Sequence, residues 1–103
     1  MDKKIYGLIG ICQKAGKLAS GELACELAVK KNEAYLVILA QDASKNTNKK
    51  FNDKCTYRKV PLIKYGTKES LGNAIGKVAR ASIAVTDEKL AEKIAELIKQ
   101  STQ

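Results

Sequence analysis

The chain has 103 residues, 45% of them hydrophobic, and carries a formal charge of +8 with three cysteines and no histidine. That length supports one modest core, expected as a single domain over residues 1–103, and no apolar run approaches the roughly 20 residues of a membrane span. Every mechanism that needs an imidazole is excluded, and the odd, widely spaced Cys12, Cys25 and Cys55 favour reduced structural thiols over a disulfide framework or a zinc site.

Residues 3 to 15 set Ile5, Leu8, Ile9 and Cys12 at helical spacing, which predicts an amphipathic first helix closed by Gly16. Gly7 and Gly10 each lower its propensity by about 1 kcal/mol against Ala, so both are expected to permit close packing on a neighbour. GLIGICQKAGK imitates a P-loop, but Ile11 stands where the first Gly belongs and Leu18 where Ser or Thr would hold magnesium. The brief apolar part lacks a small-residue cleavage site, and a cytoplasmic protein is expected.

Leu18 and Ala19 suit a short strand. Ser20 and Gly21 then open a second helix, which is expected to turn Leu23, Ala24, Leu27 and Ala28 inward. Glu22 in its first turn and Lys30 and Lys31 in its last complement the helix dipole, and Asn32 suits a left-handed stop. Leu36 to Ala40 is an apolar run with β-branched members, as in a strand covered on both faces. After Gln41 and Asp42, Ser44 caps a helix whose opening turns hold Lys45, Asn46, Thr47, Asn48, Lys49 and Lys50, with Thr47, Phe51 and Cys55 on one face. Lysines gathered at a helix N-terminus with unpaired N–H groups suggest an anion site, with phosphate the obvious anion.

Pro61 to Lys64 reads as a further strand. Thr67 caps a short helix with Leu71, Ala74 and Ile75 on its apolar side and Gly76 as its stop. A linker from Lys77 to Ala81 leads to the last strand, Ser82 to Val85. Thr86 and Asp87 then begin a terminal helix that faces Leu90, Ile94, Leu97 and Ile98 inward. The alternation predicts an α/β fold, a three-layer α/β/α sandwich around a small mixed sheet of about four strands.

Between Asp42 and Arg80 ten cations stand against three anions, so this segment holds seven of the eight net charges. Such asymmetry suggests a polyanion partner, against the alternative of a merely solubilising surface. Ligands of open α/β sheets collect beyond the strands' carboxyl ends, and three junctions qualify: Ser20 to Glu22, Gln41 to Asn46 and Gly66 to Lys68. Whether they share an edge depends on strand order. Gly21 can admit a nucleic-acid backbone, or it and Ser20 can be ordinary turn residues. The linker Gly76-Lys77-Val78-Ala79-Arg80 suits either a cover over a looped-out nucleotide or a plain connection. Glu22, Glu26 and Asp42 show no metal spacing or paired-acid motif, so neither a metal, a cofactor nor catalysis is expected.

Several blocks carry a resemblance: SGE at 20–22, AYLVILAQDASKNTNKK at 34–50, KCTYRKVP at 54–61, LGNAIGK at 71–77 and AVTD at 84–87. Together they resemble the small bacterial YlxQ-like branch of the kink-turn-binding ribosomal protein superfamily, the archaeal large-subunit seven-Ae type. The resemblance implies a noncatalytic α/β/α sandwich that binds structured RNA, ribosomal or otherwise noncoding. In the wider family a Gly opens the second helix, followed by an Asn-Glu pair and, three residues after the Glu, a Lys, which read the sheared G·A pairs of a kink-turn. Gly21 matches that Gly, whereas Leu23, Ala24 and Leu27 fall where Asn, Glu and Lys would be, and apolar side chains cannot hydrogen-bond a base edge. Gln41 and Asp42 match the family's Glu-Asp after the strand, and Gly76 to Arg80 its loop over an extruded base. The expected RNA surface is therefore Ser20, Gly21, Glu22, Gln41, Asp42, Lys45, Asn46, Thr47, Lys49, Lys50, Lys77, Val78 and Arg80. A protein-interaction adaptor of the translation apparatus, using the same basic face, is the rival.

Overall fold

The computed structural model describes residues 2–101. Nine elements follow in the expected order: α1 (Asp2–Lys14), β1 (Leu18–Ser20), α2 (Glu22–Lys30), β2 (Leu36–Leu39), α3 (Lys45–Arg58), β3 (Leu62–Lys64), α4 (Lys68–Ala74), β4 (Ser82–Val85) and α5 (Glu88–Ser101). Local chemistry sets several of their ends. The Ser44 hydroxyl oxygen accepts from the Thr47 N–H at 3.1 Å, Thr67 and Ser70 form a reciprocal capping box, and Asp87 Oδ2 accepts from the Leu90 N–H at 2.9 Å. Asn32 closes α2 at a φ of 59°, and Lys59 closes α3 at a φ of 60°, a stop that no Gly or Asn announces.

The strands lie in the order β1-β4-β2-β3. β4 runs antiparallel to both β1 and β2, while β2 and β3 are parallel. Because every residue of β2 and β4 is buried, these two form the covered centre, and the alternation of their side chains divides the core in two. Leu36, Ile38, Ile83 and Val85 meet Ile5 and Ile9 of α1, Leu71 of α4 and Ile94 and Ile98 of α5. Val37, Leu39 and Ala84 meet Cys25, Ala28 and Val29 of α2 and Phe51 and Cys55 of α3. The result is the three-layer sandwich, with α1, α4 and α5 on one face and α2 and α3 on the other.

Two expectations need correction. α2 does not turn Leu23, Ala24 and Leu27 inward: its buried residues are Cys25, Ala28 and Val29, while Leu23 is 72% and Leu27 44% exposed. The helix is apolar around most of its circumference, so periodicity alone left its rotation open; Glu22 and Glu26 reach α3 and fix it. Close packing holds for Gly10, where a β-carbon would stand 3.0 Å from the Ala74 carbonyl oxygen of α4. It does not hold for Gly7, which faces open space.

This topology places the carboxyl ends of β1, β2 and β3 and the amino end of β4 along one edge of the sheet. The Gly21 N–H donates to the Ser82 carbonyl at 3.0 Å, the Ala40 N–H to Ala81 at 2.9 Å, and the Gln41 N–H to Gly66 at 2.8 Å. All three candidate junctions and the 77–81 linker therefore meet.

Candidate nucleic-acid interface

The two helix starts at this edge differ. α3 begins on Ser44, whose hydroxyl oxygen occupies the Thr47 N–H, so part of its amino-terminal donor set is spent internally. α2 begins on Gly21 at φ 94° and ψ 160°, a conformation essentially reserved for glycine, with no side-chain cap. No neighbouring protein atom lies within 4 Å of where a Gly21 β-carbon would be. The opening turn of α2 thus presents backbone donors to open space, which is the arrangement that receives an anion such as phosphate.

The charged residues around this opening fall into two groups. Lys45, Lys49 and Lys77 are exposed, and the ion pairs at this opening are made by Lys50. Lys50 Nζ lies 2.7 Å from Glu26 Oε1 and 3.5 Å from Glu22 Oε2, while the Thr47 hydroxyl donates to Glu22 Oε1 at 2.9 Å. The hydrogen bond to Glu26 raises the Lys50 pKa, against a smaller desolvation effect and with further support from Glu22. Glu22, Glu26, Thr47 and Lys50 therefore clip α2 to α3, and Lys50 spends its charge inside the protein.

Asp42 also has a structural partner, because its Oδ1 accepts from the Lys68 N–H at 2.8 Å and so ties the exit of β2 to the start of α4. Gln41, Asn46 and Ser20 stand at the same edge, Gln41 and Asn46 exposed and Ser20 half-buried. Lys68, which sequence reading left off the surface, is exposed beside them.

The segment after α4 returns to the edge by folding back along that helix. The Lys77 N–H donates to the Gly72 carbonyl at 2.8 Å and the Arg80 N–H to the Lys68 carbonyl at 2.9 Å. Gly72 makes this possible: a β-carbon there would stand 2.4 Å from the Val78 carbonyl oxygen. The fold-back leaves Val78 87% exposed, and Arg80 turns one guanidinium N–H onto the Ala79 carbonyl at 2.7 Å. Gly72 was missed in the sequence, although a glycine inside a seven-residue helix costs about 1 kcal/mol against Ala and so invites an explanation.

The edge is a shallow cationic platform of backbone donors, flexible lysines and one projecting apolar side chain. The three thiols are free and buried, and burial pushes Cys25 up to about 12 and Cys55 to about 11, well away from a reactive thiolate at neutral pH. Among the described residues no His, Cys, Asp or Glu cluster has the placement to hold a metal ion, and no helix is long and apolar enough to cross a membrane.

Comparison with known proteins bears on this surface. Residues 3–95 match the ribosomal protein L7Ae/L30e/S12e/Gadd45 family. The RNA-binding protein YlxQ of Bacillus subtilis is 43% identical over 93 residues, which cover 90% of this chain and 93% of that protein. A solved Bacillus halodurans protein of unknown function superposes with a TM-score of 0.90 at 38% identity, over 93% of this chain and 97% of that one. The Giardia lamblia 15.5kD RNA binding protein shares the fold, with a TM-score of 0.81 at 22% identity over 96% of this chain and 85% of that one.

Proposed function

The chain belongs to the ribosomal protein L7Ae/L30e/S12e/Gadd45 family, and from that premise we propose that it is a noncatalytic RNA-binding protein that grips structured cytoplasmic RNA, ribosomal or otherwise noncoding, on the edge built around Gly21. The observation that carries this reading is the convergence of an uncapped, sterically open helix start with the unpaired lysines Lys45, Lys49 and Lys77. The name of the Bacillus subtilis relative, an RNA-binding protein, supports the polymer. Phosphate oxygens would meet the first-turn N–H groups of α2 and these lysines, and Gly21 would let the ribose-phosphate chain approach the backbone. Ser20, Gln41, Asn46 and Thr47 line the approach, and Val78 would touch an unstacked base while Arg80 flanks it. Glu22, Asp42 and Lys50 hold this surface in shape.

Base reading would differ from that of an ordinary kink-turn binder. Leu23, Ala24 and Leu27 lie on exposed positions of α2 and offer no hydrogen-bonding atoms, so sheared G·A pairs would find no side-chain partner there. The same exposed leucines favour the second reading, an adaptor that captures an acidic protein of the translation apparatus.

Binding of structured RNA, measured against salt concentration, tests the proposal. Affinity should fall steeply with salt, and Lys45→Ala with Lys49→Ala should weaken all RNAs alike and reduce the salt slope by about 2. Recovery of an acidic protein with no RNA affinity above that of a basic control would give the adaptor reading the field.

A further inference from the structure

A second feature lies on the α2–α3 face, away from the edge. Lys50, the pair Asp53 and Lys54, and the pair Tyr57 and Arg58 recur at three- and four-residue spacing, forming a stripe along α3. Opposite them on α2 stand Glu26, Val29 and Lys30, and together the two helices line a groove of about 330 Å³ next to the end of α3. Tyr57 is 81% exposed, an unusual setting for so large an apolar ring, and the Arg58 guanidinium carbon sits 5.4 Å from its centroid.

From Thr47 at the edge to Tyr57 is ten residues of helix, or about 15 Å at 1.5 Å per residue. The groove thus lies on the far side of the clip from the Gly21 opening, and Lys50 already neutralises Glu26 at its near end.

We propose that the α2–α3 groove is a second RNA contact, a stacking site that takes one unpaired nucleotide on the ring of Tyr57. An exposed aromatic ring with a planar guanidinium beside it is the arrangement on which bases stack, and it accepts any base because every base has a π-face. Lys30 and Lys54 flank the groove and suit the nucleotide's phosphates. The Asp53 carboxylate and the nearby carboxyl ends of α2 and α3 suit the exocyclic amines of a base rather than a second phosphate. The lining remains net positive and would attract an acidic peptide as well as a nucleotide; the exposed ring is what favours the nucleotide, and the test separates the two. This inference rests on the RNA reading but adds a site remote from the edge.

The experiment uses the full chain with a short single-stranded oligouridine carrying thiouridine, photocrosslinked and mapped by mass spectrometry, alongside binding measurements on a structured RNA with an unpaired tail. The expected result is a crosslink in the peptide containing Tyr57, lost in Tyr57→Ala together with about tenfold or more of the affinity for the tailed RNA. Tyr57→Phe should keep both, since it keeps the ring. Crosslinks confined to the edge, an unaffected Tyr57→Ala, or a Tyr57→Phe as weak as Tyr57→Ala would each overturn the stacking site. So would an acidic peptide that needs Tyr57 while RNA does not. If Lys45→Ala with Lys49→Ala abolishes RNA binding and Tyr57→Ala is silent, the edge stands and the groove falls; an unaltered chain that binds no RNA removes both.

Discussion

On one face of the sheet, Ile5, Ile9, Leu71, Ile94 and Ile98 from three helices pack over Leu36, Ile38, Ile83 and Val85. On the other, two helices offer Phe51 and Val29 with the small Cys25, Ala28 and Cys55 against Val37, Leu39 and Ala84. The first face is a deep aliphatic core. The second is thin, held by one large ring and by a polar clip at its rim, and it carries the uncapped helix start with the unpaired Lys45 and Lys49. A binding surface needs side chains that face water, and the layer that supplies them has fewer left for the interior. The thin face is therefore the one in which single changes should act locally.

The largest such effect is expected from Phe51→Ala. Removing this fully buried ring should cost about 3–5 kcal/mol. Hydrogen exchange should accelerate in α2 and α3 ahead of α1 and α5. Equal acceleration on both faces in such a variant would erase the distinction between them.

Backbone changes come next. Gly72→Ala places a methyl 2.4 Å from the Val78 carbonyl oxygen and should cost about 1–3 kcal/mol in denaturant unfolding. Because it pushes the 77–81 segment off α4, it should also weaken RNA binding. Gly21→Ala strains a φ of 94° and should cost about 1–3 kcal/mol, or shift the start of α2, with loss of RNA affinity in either event.

A smaller effect concerns pH. Cys25 and Cys55, both on the thin face, titrate near 9.0 when exposed, but in the fold burial holds them at about 12 and about 11. The folded protein keeps its protons longer, so the stabilisation is whole below pH 9.0 and is lost as pH rises through the folded values. By about pH 10 each thiol should have removed about 1 kcal/mol. Cys25→Ala should flatten the alkaline limb of a stability profile, and an unchanged limb would assign that loss elsewhere.

The smallest change should come from Lys50→Ala. Since Lys50 pairs with Glu22 and Glu26, its removal should leave the salt slope of RNA binding where it was, whereas Lys49→Ala should lower it by about 1. A full unit lost with Lys50 would move that lysine from the clip to the interface.

Much of this molecule was legible in order along the chain. The strand at Leu36, the cap at Ser44, the stops at Gly16, Asn32 and Gly76 and the amphipathic last helix all follow from local rules, because a cap or a left-handed stop involves residues only a few positions apart. The rotation of α2 was not legible. Leucines and alanines ring most of that helix, and the side facing the sheet was chosen by Glu22 and Glu26 meeting residues about 25 positions away. Asp42 likewise read as a surface acid and proved to hold the start of α4.

The sequence by itself determined the elements, their alternation and an excess of positive charge in the middle of the chain. Only the tertiary structure decided that the three junctions share an edge, because β4 inserts between β1 and β2 and no local signal records strand order. It also decided which lysines remain unpaired, since a cation's partner is set by distance across helices and not along the chain. The surface exists because the strand order brings those ends together.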